Sequence, residues 1–287
     1  MIVHLAAALW AYLRPLSVVH AWSVAVVRAA GMSRRSVRID GHRIEYLTGG
    51  SGPPLVMIHG IGGKAEDYAL LFRHFTRRHR VYALDLLGSG GSDTPDVDYS
   101  IAMHAGVLRG FLDAMDLRTT DVMAVSMGGW IALKFAAEHP ERVRRLALVS
   151  TGGFAFETEA LTESTFSPRD IAALRRSLYL QSDRAARLPK FVLRDLLRRA
   201  RERRWINERA MRSMLTGRDL VERKLGALRM PVLLVWGTRD RLIPFSVAHR
   251  IRDEVPHAEL FAIEGGSHLA VIERRREAVP AILDFFR

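Results

Sequence analysis

The chain has 287 residues, 48% of them hydrophobic, no cysteine, and a formal net charge of +12 carried mostly by arginine. The apolar fraction argues for one sizeable folded core and against disorder, and the missing thiol excludes disulfides, thiol catalysis and cysteine-based zinc sites. The positive balance suits nucleic acid, anionic lipid or acidic substrates. The densest run, Arg198 to Trp205 ("RRARERRW"), follows Val192, Leu193, Leu196 and Leu197 at helical spacing and reads as a solvated helix face. No nucleic-acid-binding motif accompanies it, so no nucleic-acid partner is expected.

The first element is an apolar segment, residues 1–31. From Ile2 to Val27 it is nearly all apolar, with Trp10, Tyr12 and Trp22 interspersed and Arg14-Pro15 dividing it. Each half is too short to cross a hydrocarbon core of about 30 Å. A full span would put Arg14 near the bilayer centre, at a cost of about 3 kcal/mol. A signal peptide would carry a basic start and a better cleavage site than "VVRAAG". The segment therefore reads as a helix lying on an anionic membrane surface, with Arg14, Ser17 and Arg28 on one side. A helix docked on the protein, or on a second subunit, is the alternative; the oligomeric state stays open.

Next, "VRIDGHRIEYL" alternates around Asp40-Gly41 and predicts a β-hairpin with a tight turn. "PPLVMIHG", "RVYALD", "DVMAVS", "VRRLALVS", "PVLLVWG" and "AELFAIEG" are short, continuous apolar runs, the mark of strands buried on both faces. Helical patterns over Ala65–Arg78, Ile101–Leu117, Met127–His139, Ser246–Val255 and Leu269–Phe286 lie between most of them. The alternation predicts an α/β fold with a mostly parallel sheet. From Phe154 to about Met230 no strand pattern occurs. That stretch predicts a helical cap, residues 154–228, inserted into a core of 32–153 and 229–287. Phe154, Phe156, Phe166, Leu178, Tyr179, Leu180 and Phe191 offer it apolar surface for an acyl pocket, or for packing on the core.

In a parallel sheet the carboxyl ends of the strands form the functional edge. Those ends carry "HGIGG" (His59 to Gly63), Asp85, Ser126, "WGTRDRLIP" with Asp240, and "EGGSHLA" with His268. Ser126 sits where an apolar strand gives way to a helix, with small residues, Ala124 and Gly128, two positions either side. That pattern suits a strained turn that lifts a nucleophilic hydroxyl clear of the sheet. The helix that follows aims its dipole and free N–H groups, Met127 first, at the same place.

On HGIGG, the Asp85–Asp93 run, AVSMGG, WGTRD and GGSH, the chain resembles the α/β-hydrolases, over roughly Arg38 to the C-terminus. The resemblance is nearest to capped esterases, monoacylglycerol-lipase-type hydrolases and C–C bond hydrolases. It implies Ser126 as nucleophile, His268 as base, Asp240 as the acid that orients it, and the N–H groups of Ile61 and Met127 as oxyanion donors. His59 is expected to shape the oxyanion loop, and Asp85 to organise a loop. Ser150 and Thr151, after "LALVS", cannot act as the acid. His104, His139, His249 and His257 have no evident carboxylate partner, and no metal motif or cofactor site is expected. Relatives that open epoxides or remove halides carry aspartate at the elbow, so serine favours acyl chemistry. Leu269 stands where the C–C hydrolases usually place an aromatic residue, so a small-molecule ester is the first expectation. C–C hydrolysis comes second and perhydrolysis third; a non-catalytic ligand receptor stays open, since fold does not fix function.

Overall fold

The computed structural model describes residues 14–156 and 161–287. The first half of the apolar leader, with Trp10 and Tyr12, lies outside the described residues. Eight strands form a single sheet: β1 (Ser33–Ile39), β2 (His42–Gly49), β3 (Pro54–Ile58), β4 (Arg80–Leu84), β5 (Thr120–Val125), β6 (Val143–Val149), β7 (Val232–Gly237) and β8 (Glu259–Ile263). Their order across the sheet is β1-β2-β4-β3-β5-β6-β7-β8. The β1–β2 hairpin and the β2–β4 pair are antiparallel, and every other neighbour is parallel. Asp40 and Gly41 turn the hairpin with φ of 50° and 82°, the left-handed pair that a two-residue turn needs.

Seven of the eleven helices among the described residues flank the sheet or lead into it: α1 (Pro15–Ala29), α2 (Ala69–Phe75), α3 (Ile101–Ala114), α4 (Met127–Glu138), α9 (Ser246–Glu254), α10 (Ala270–Glu273) and α11 (Arg275–Phe285). Two expected helices depart most from their patterns. The first opens as a 3-10 turn, Ala65–Tyr68, because Asp67 accepts the N–H of Lys64 and closes a tight loop. The last breaks at Arg274, whose φ of −111° and ψ of 32° leave the helical region. Strands β3 and β7, and β5 from Val122 onward, are continuous apolar runs because both faces are covered; Leu234, Val235 and Trp236 are fully buried. Burying each such side chain contributes roughly 1.5–3 kcal/mol.

Between β6 and β7 no strand occurs among the described residues. Four helices fill the gap: α5 (Ile171–Gln181), α6 (Asp183–Ala186), α7 (Lys190–Glu202) and α8 (Arg204–Leu215). Leu193 and Leu197 of α7 are buried against Leu174 of α5, as their spacing predicts. The arginine run departs from the expected solvated face. Arg201, Glu202 and Trp205 are exposed, whereas Arg198, Arg199, Arg203 and Arg204 are half-buried. Arg198 reaches Asp195 at 2.6 Å, and Arg203 donates to the carbonyls of Gly88 (2.8 Å) and Gly90 (3.0 Å). The long aliphatic stems let these arginines cross apolar ground to such partners.

Helix α1 packs against both α2 and α7. Val27 is buried in the core, the N–H of Leu16 donates to Asp195 at 3.0 Å, and Ser17 accepts from Arg199 at 3.3 Å. Ser17 therefore faces the protein, not the side shared by the exposed Arg14 and Arg28. Val18 and Trp22 remain exposed on the outer side, and Val19 is exposed at the rim of a cavity between α1 and α7. Among the described residues no helix is long and apolar enough to cross a membrane.

Candidate active site

Ser126 ends β5 and precedes the first residue of α4. Its φ of 56° lies in the left-handed region, which costs a non-glycine residue roughly 1–3 kcal/mol unless its surroundings dictate it. Here they do. The Ser126 N–H donates to Val149 O at 2.9 Å, and its carbonyl accepts from Trp130 N (3.1 Å) and Gly152 N (3.3 Å). A serine at a helix N-cap ordinarily spends its hydroxyl on the first free N–H groups. Ser126 makes no such bond, because the positive φ turns the side chain away.

Glycine is forced at one nearby position and closely fitted at another. A Cβ on Gly128 would lie 2.4 Å from the carbonyl oxygen of His59, and one on Gly60 would lie 3.1 Å from the Ser126 Cβ. The HGIGG loop is thus pressed onto the elbow. Polar bonds fix that loop. His59 Nδ1 lies 2.7 Å from Gly60 O and its Nε2 accepts from Leu86 N at 3.1 Å, so the ring is the Nδ1-protonated tautomer by its partners. Asp85 accepts from Ala65 N at 2.7 Å with one oxygen and from Gly91 N at 2.8 Å with the other. It ties together the loops after β3 and β4. Asp67 is held in the same place, and burial pushes its carboxyl up from the ordinary range. Neither Ile61 N–H nor Met127 N–H has a protein acceptor among the described residues.

Asp240 follows β7 and is buried. Oδ1 accepts from Leu242 N and Ile243 N, both at 2.9 Å, and Oδ2 lies 2.8 Å from His268 Nδ1. The carboxylate is both a turn aspartate and a histidine partner. Its backbone is clamped too: Arg239 N donates to Gly266 O at 2.8 Å, joining the Asp240 and His268 loops. Glu273, absent from the sequence expectations, braces the histidine. It accepts from Ser267 Oγ at 2.8 Å, and Ser182 of the insertion donates to its other oxygen. Leu269 N also donates to Gln181 O at 3.3 Å. No local motif announces Glu273, since its partners lie on two separate elements.

Ser126 and His268 line one cleft of about 220 Å³ together with Ile61 and Gln181. On its other side Ser126 opens on a chamber of about 350 Å³. No charged residue lines that chamber among the described residues. Trp130 and Met127 come from α4, Met211 and Met214 from α8, and Leu242 and Ile243 from the Asp240 loop. Of the seven apolar residues expected to serve a pocket, Phe154, Phe156 and Phe166 line it. Leu178 faces a neighbouring cavity, Leu180 packs on the core, and Tyr179 is exposed. Trp130 was legible only as part of the elbow helix; its indole N–H donates to Asp219 O at 2.8 Å, which turns the ring toward the chamber wall.

Residues 53–223 match the family described as the alpha/beta hydrolase fold. The 2-hydroxymuconate semialdehyde hydrolase of Pseudomonas sp. (strain CF600) is 31% identical over 264 residues, covering 88% of this chain and 93% of that protein. Lipase 1 of Psychrobacter immobilis is 27% identical over 248 residues, 82% of this chain and 77% of that one. Among solved structures, a membrane phospholipase A, described as a novel bacterial virulence factor, superposes with a TM-score of 0.86 at 28% identity, covering 99% of this chain and 95% of the other. An eight-stranded, mostly parallel sheet, a strained serine at the end of its fifth strand and this family match lead to one conclusion: the chain belongs to the α/β-hydrolase fold family.

Proposed function

We propose that the protein is a serine hydrolase of carboxylic esters with apolar acyl groups, monoacylglycerol-like in character, working through an acyl-enzyme. The observation that carries this reading is Ser126: a buried serine at φ 56°, its hydroxyl free of capping, opening on an uncharged chamber. Ser126 Oγ attacks the acyl carbonyl while His268 Nε2 takes its proton. Asp240, bonded to His268 Nδ1, holds the tautomer and stabilises the imidazolium. The N–H groups of Ile61 and Met127 receive the developing oxyanion, each such donor lowering the barrier by about 3–4 kcal/mol. His268 then protonates the leaving alcohol, and water completes the cycle through the same base. The insertion, residues 154–228, acts as a cap whose α8 closes the acyl chamber.

A second reading, C–C bond hydrolysis of a dienoate, draws support from the 31% identical semialdehyde hydrolase. Leu269 beside His268 and the uncharged chamber favour the ester. The discriminating experiment assays 4-nitrophenyl esters of increasing chain length beside a 2-hydroxy-6-oxodienoate whose visible absorption reports cleavage. Ester turnover that rises with chain length, and that falls by several orders of magnitude in Ser126→Ala, supports the proposal. Cleavage of the dienoate alone would select the second reading. Binding without turnover of either would make the protein a receptor.

The outer face of α1 is proposed to rest on an anionic membrane surface. Val18 and Trp22 are exposed there, with Arg14 and Arg28 near the ends and a basic protein behind them. Removing residues 1–31 would also remove Val27 from the core, so a point substitution is the cleaner probe. Trp22→Glu should reduce co-sedimentation with phosphatidylglycerol vesicles several-fold without unfolding the protein. Wild-type protein that stays in the supernatant would refute membrane binding.

A further inference from the structure

Two cavities of opposite character meet at the Ser126 cleft. One is the uncharged chamber already described. The other, about 1000 Å³, lies between α1, α7 and the loops after β3 and β4. Ile61 and Phe166 line both cavities and the cleft itself. The larger cavity and the cleft also share Gly62, Gly63, Asp67 and Gln181. A molecule with its ester at Ser126 and its acyl chain in the uncharged chamber would therefore direct its alcohol part into the larger cavity.

That cavity is lined by five cationic side chains, Arg34, Lys64, Arg198, Arg199 and Arg203, and by four carboxylates. Most of the charge is already spent. Arg34 pairs with Glu45 and Glu66, Lys64 pairs with Glu66, and Arg198 pairs with Asp195 and Glu202. Among the described residues two guanidinium groups make no ion pair with a carboxylate, Arg203 and Arg199, although Asp195 lies near enough to feel the charge of Arg199. Arg203 gives two donors to the carbonyls of Gly88 and Gly90, leaving the rest of its fork unused. Among the described residues Arg199 makes one long contact, 3.3 Å to Ser17 Oγ, and its Nε is buried without a partner. An unused buried donor is costly unless a ligand supplies the acceptor. A planar fork of donors matches a phosphate or carboxylate.

We infer that the substrate is an amphiphilic ester whose alcohol part carries an anionic group, held by Arg199 and Arg203. The inference rests on the ester-hydrolase reading and names its substrate class. The anion takes no part in the bond changes; the acyl C–O bond breaks at Ser126, and the alcohol leaves with the proton from His268. Helix α1 contributes by forming the cavity's outer wall and by placing Ser17 against Arg199.

The test compares 1-decanoylglycerol with 1-decanoylglycerol 3-phosphate, both as monomers in solution. Wild-type protein should prefer the phosphorylated ester by about tenfold in kcat/KM, chiefly through KM. Arg199→Gln should bring that ratio near one, and Arg199→Glu should invert it. The ratio is read within each variant, so a loss of folded protein cancels. A wild-type ratio of one, or an unchanged ratio in Arg199→Glu, overturns the inference while leaving ester hydrolysis intact. Failure to cleave either ester overturns the hydrolase reading itself. Inorganic phosphate supplies the remaining arm. If it raises the melting temperature of wild type but not of Arg199→Glu, and the ester ratio is one, the cavity serves a free anion and the inference falls.

Discussion

The strand-end loops and the helical insertion hold their charged groups by different means. At the strand ends, Asp85 and Asp240 are buried and accept backbone N–H bonds from defined loop positions. The insertion also has buried carboxylates: Asp195 binds the N–H of Leu16 in α1, and Asp219 binds the N–H of Ala102 in α3. The insertion also uses exposed ion pairs: Arg209 with Asp96, Arg218 with Asp98 and Arg241 with Asp183 reach outside it, and Arg212 with Glu163 lies within it. Backbone-held carboxylates set atoms to within a fraction of an ångström, as proton transfer requires. Exposed pairs are worth little individually and are weakened by salt. The contrast teaches that backbone-held carboxylates fix the strand-end edge, whereas the insertion adds exposed pairs to its few buried carboxylates.

The largest expected effect breaks the fixed half. Asp240→Asn keeps the shape and can still accept from Leu242 and Ile243, but its amide favours the wrong tautomer of His268. Ester turnover should fall on the order of a thousandfold or more while the circular dichroism spectrum is unchanged. A loss below about tenfold would assign the orienting role to another group.

Acid sharpens the comparison at intermediate size. Burial pushes His104, in α3, down to about 3, and pushes His79 down as well. A folded value below the unfolded one means that the unfolded chain binds the proton first. Stability is therefore whole above about pH 6.5 and is lost as pH falls toward 3. Between pH 7 and pH 5, His104 alone should cost about 2 kcal/mol. Urea denaturation at the two pH values measures this, and His104→Gln should flatten the dependence by a similar amount. An unchanged slope in that variant would show that His104 is not the titrating group.

The sequence disclosed the fixed half far better than the insertion. Continuous apolar runs mark β3, β7 and most of β5, because strands buried on both faces leave little room for polar alternation. Ser126 was readable because a serine between a strand and a glycine-rich helix start has few structural uses. The placement of Asp240 and His268 was readable because each follows an apolar run within a few residues, on the edge where Ser126 sits. Around the chamber the signal failed. Phe154, Phe156 and Phe166 line it while Leu178, Tyr179 and Leu180 do not, and nothing local separates the two groups. Which way an insertion helix faces depends on where its ends are tied. Glu273, Asp195 and Asp219 do that tying from positions remote in sequence. The arginine run misled for the same reason: Arg203 reads as solvated until the carbonyls of Gly88 and Gly90 are brought beneath it.

The smallest expected effect lies in the insertion, and its smallness is the point. Arg212, in α8, pairs with Glu163 at 3.1 Å, with side-chain exposures of 66% and 49%. Glu163 holds Arg212 above its usual value, mainly through their hydrogen bond. Both groups stay hydrated when the pair opens, so breaking it returns almost what it takes. Arg212→Ala should leave the urea midpoint unchanged within error, both at low salt and in about 1 M NaCl, where screening shortens to roughly 3 Å. It should also leave Asp240 and His268 undisturbed, since the pair touches neither loop. A midpoint shift as large as that expected from acidification would mean that exposed pairs hold the insertion as firmly as buried carboxylates hold the strand ends. In that case the division between a fixed edge and an insertion tied partly by exposed pairs would have to be redrawn.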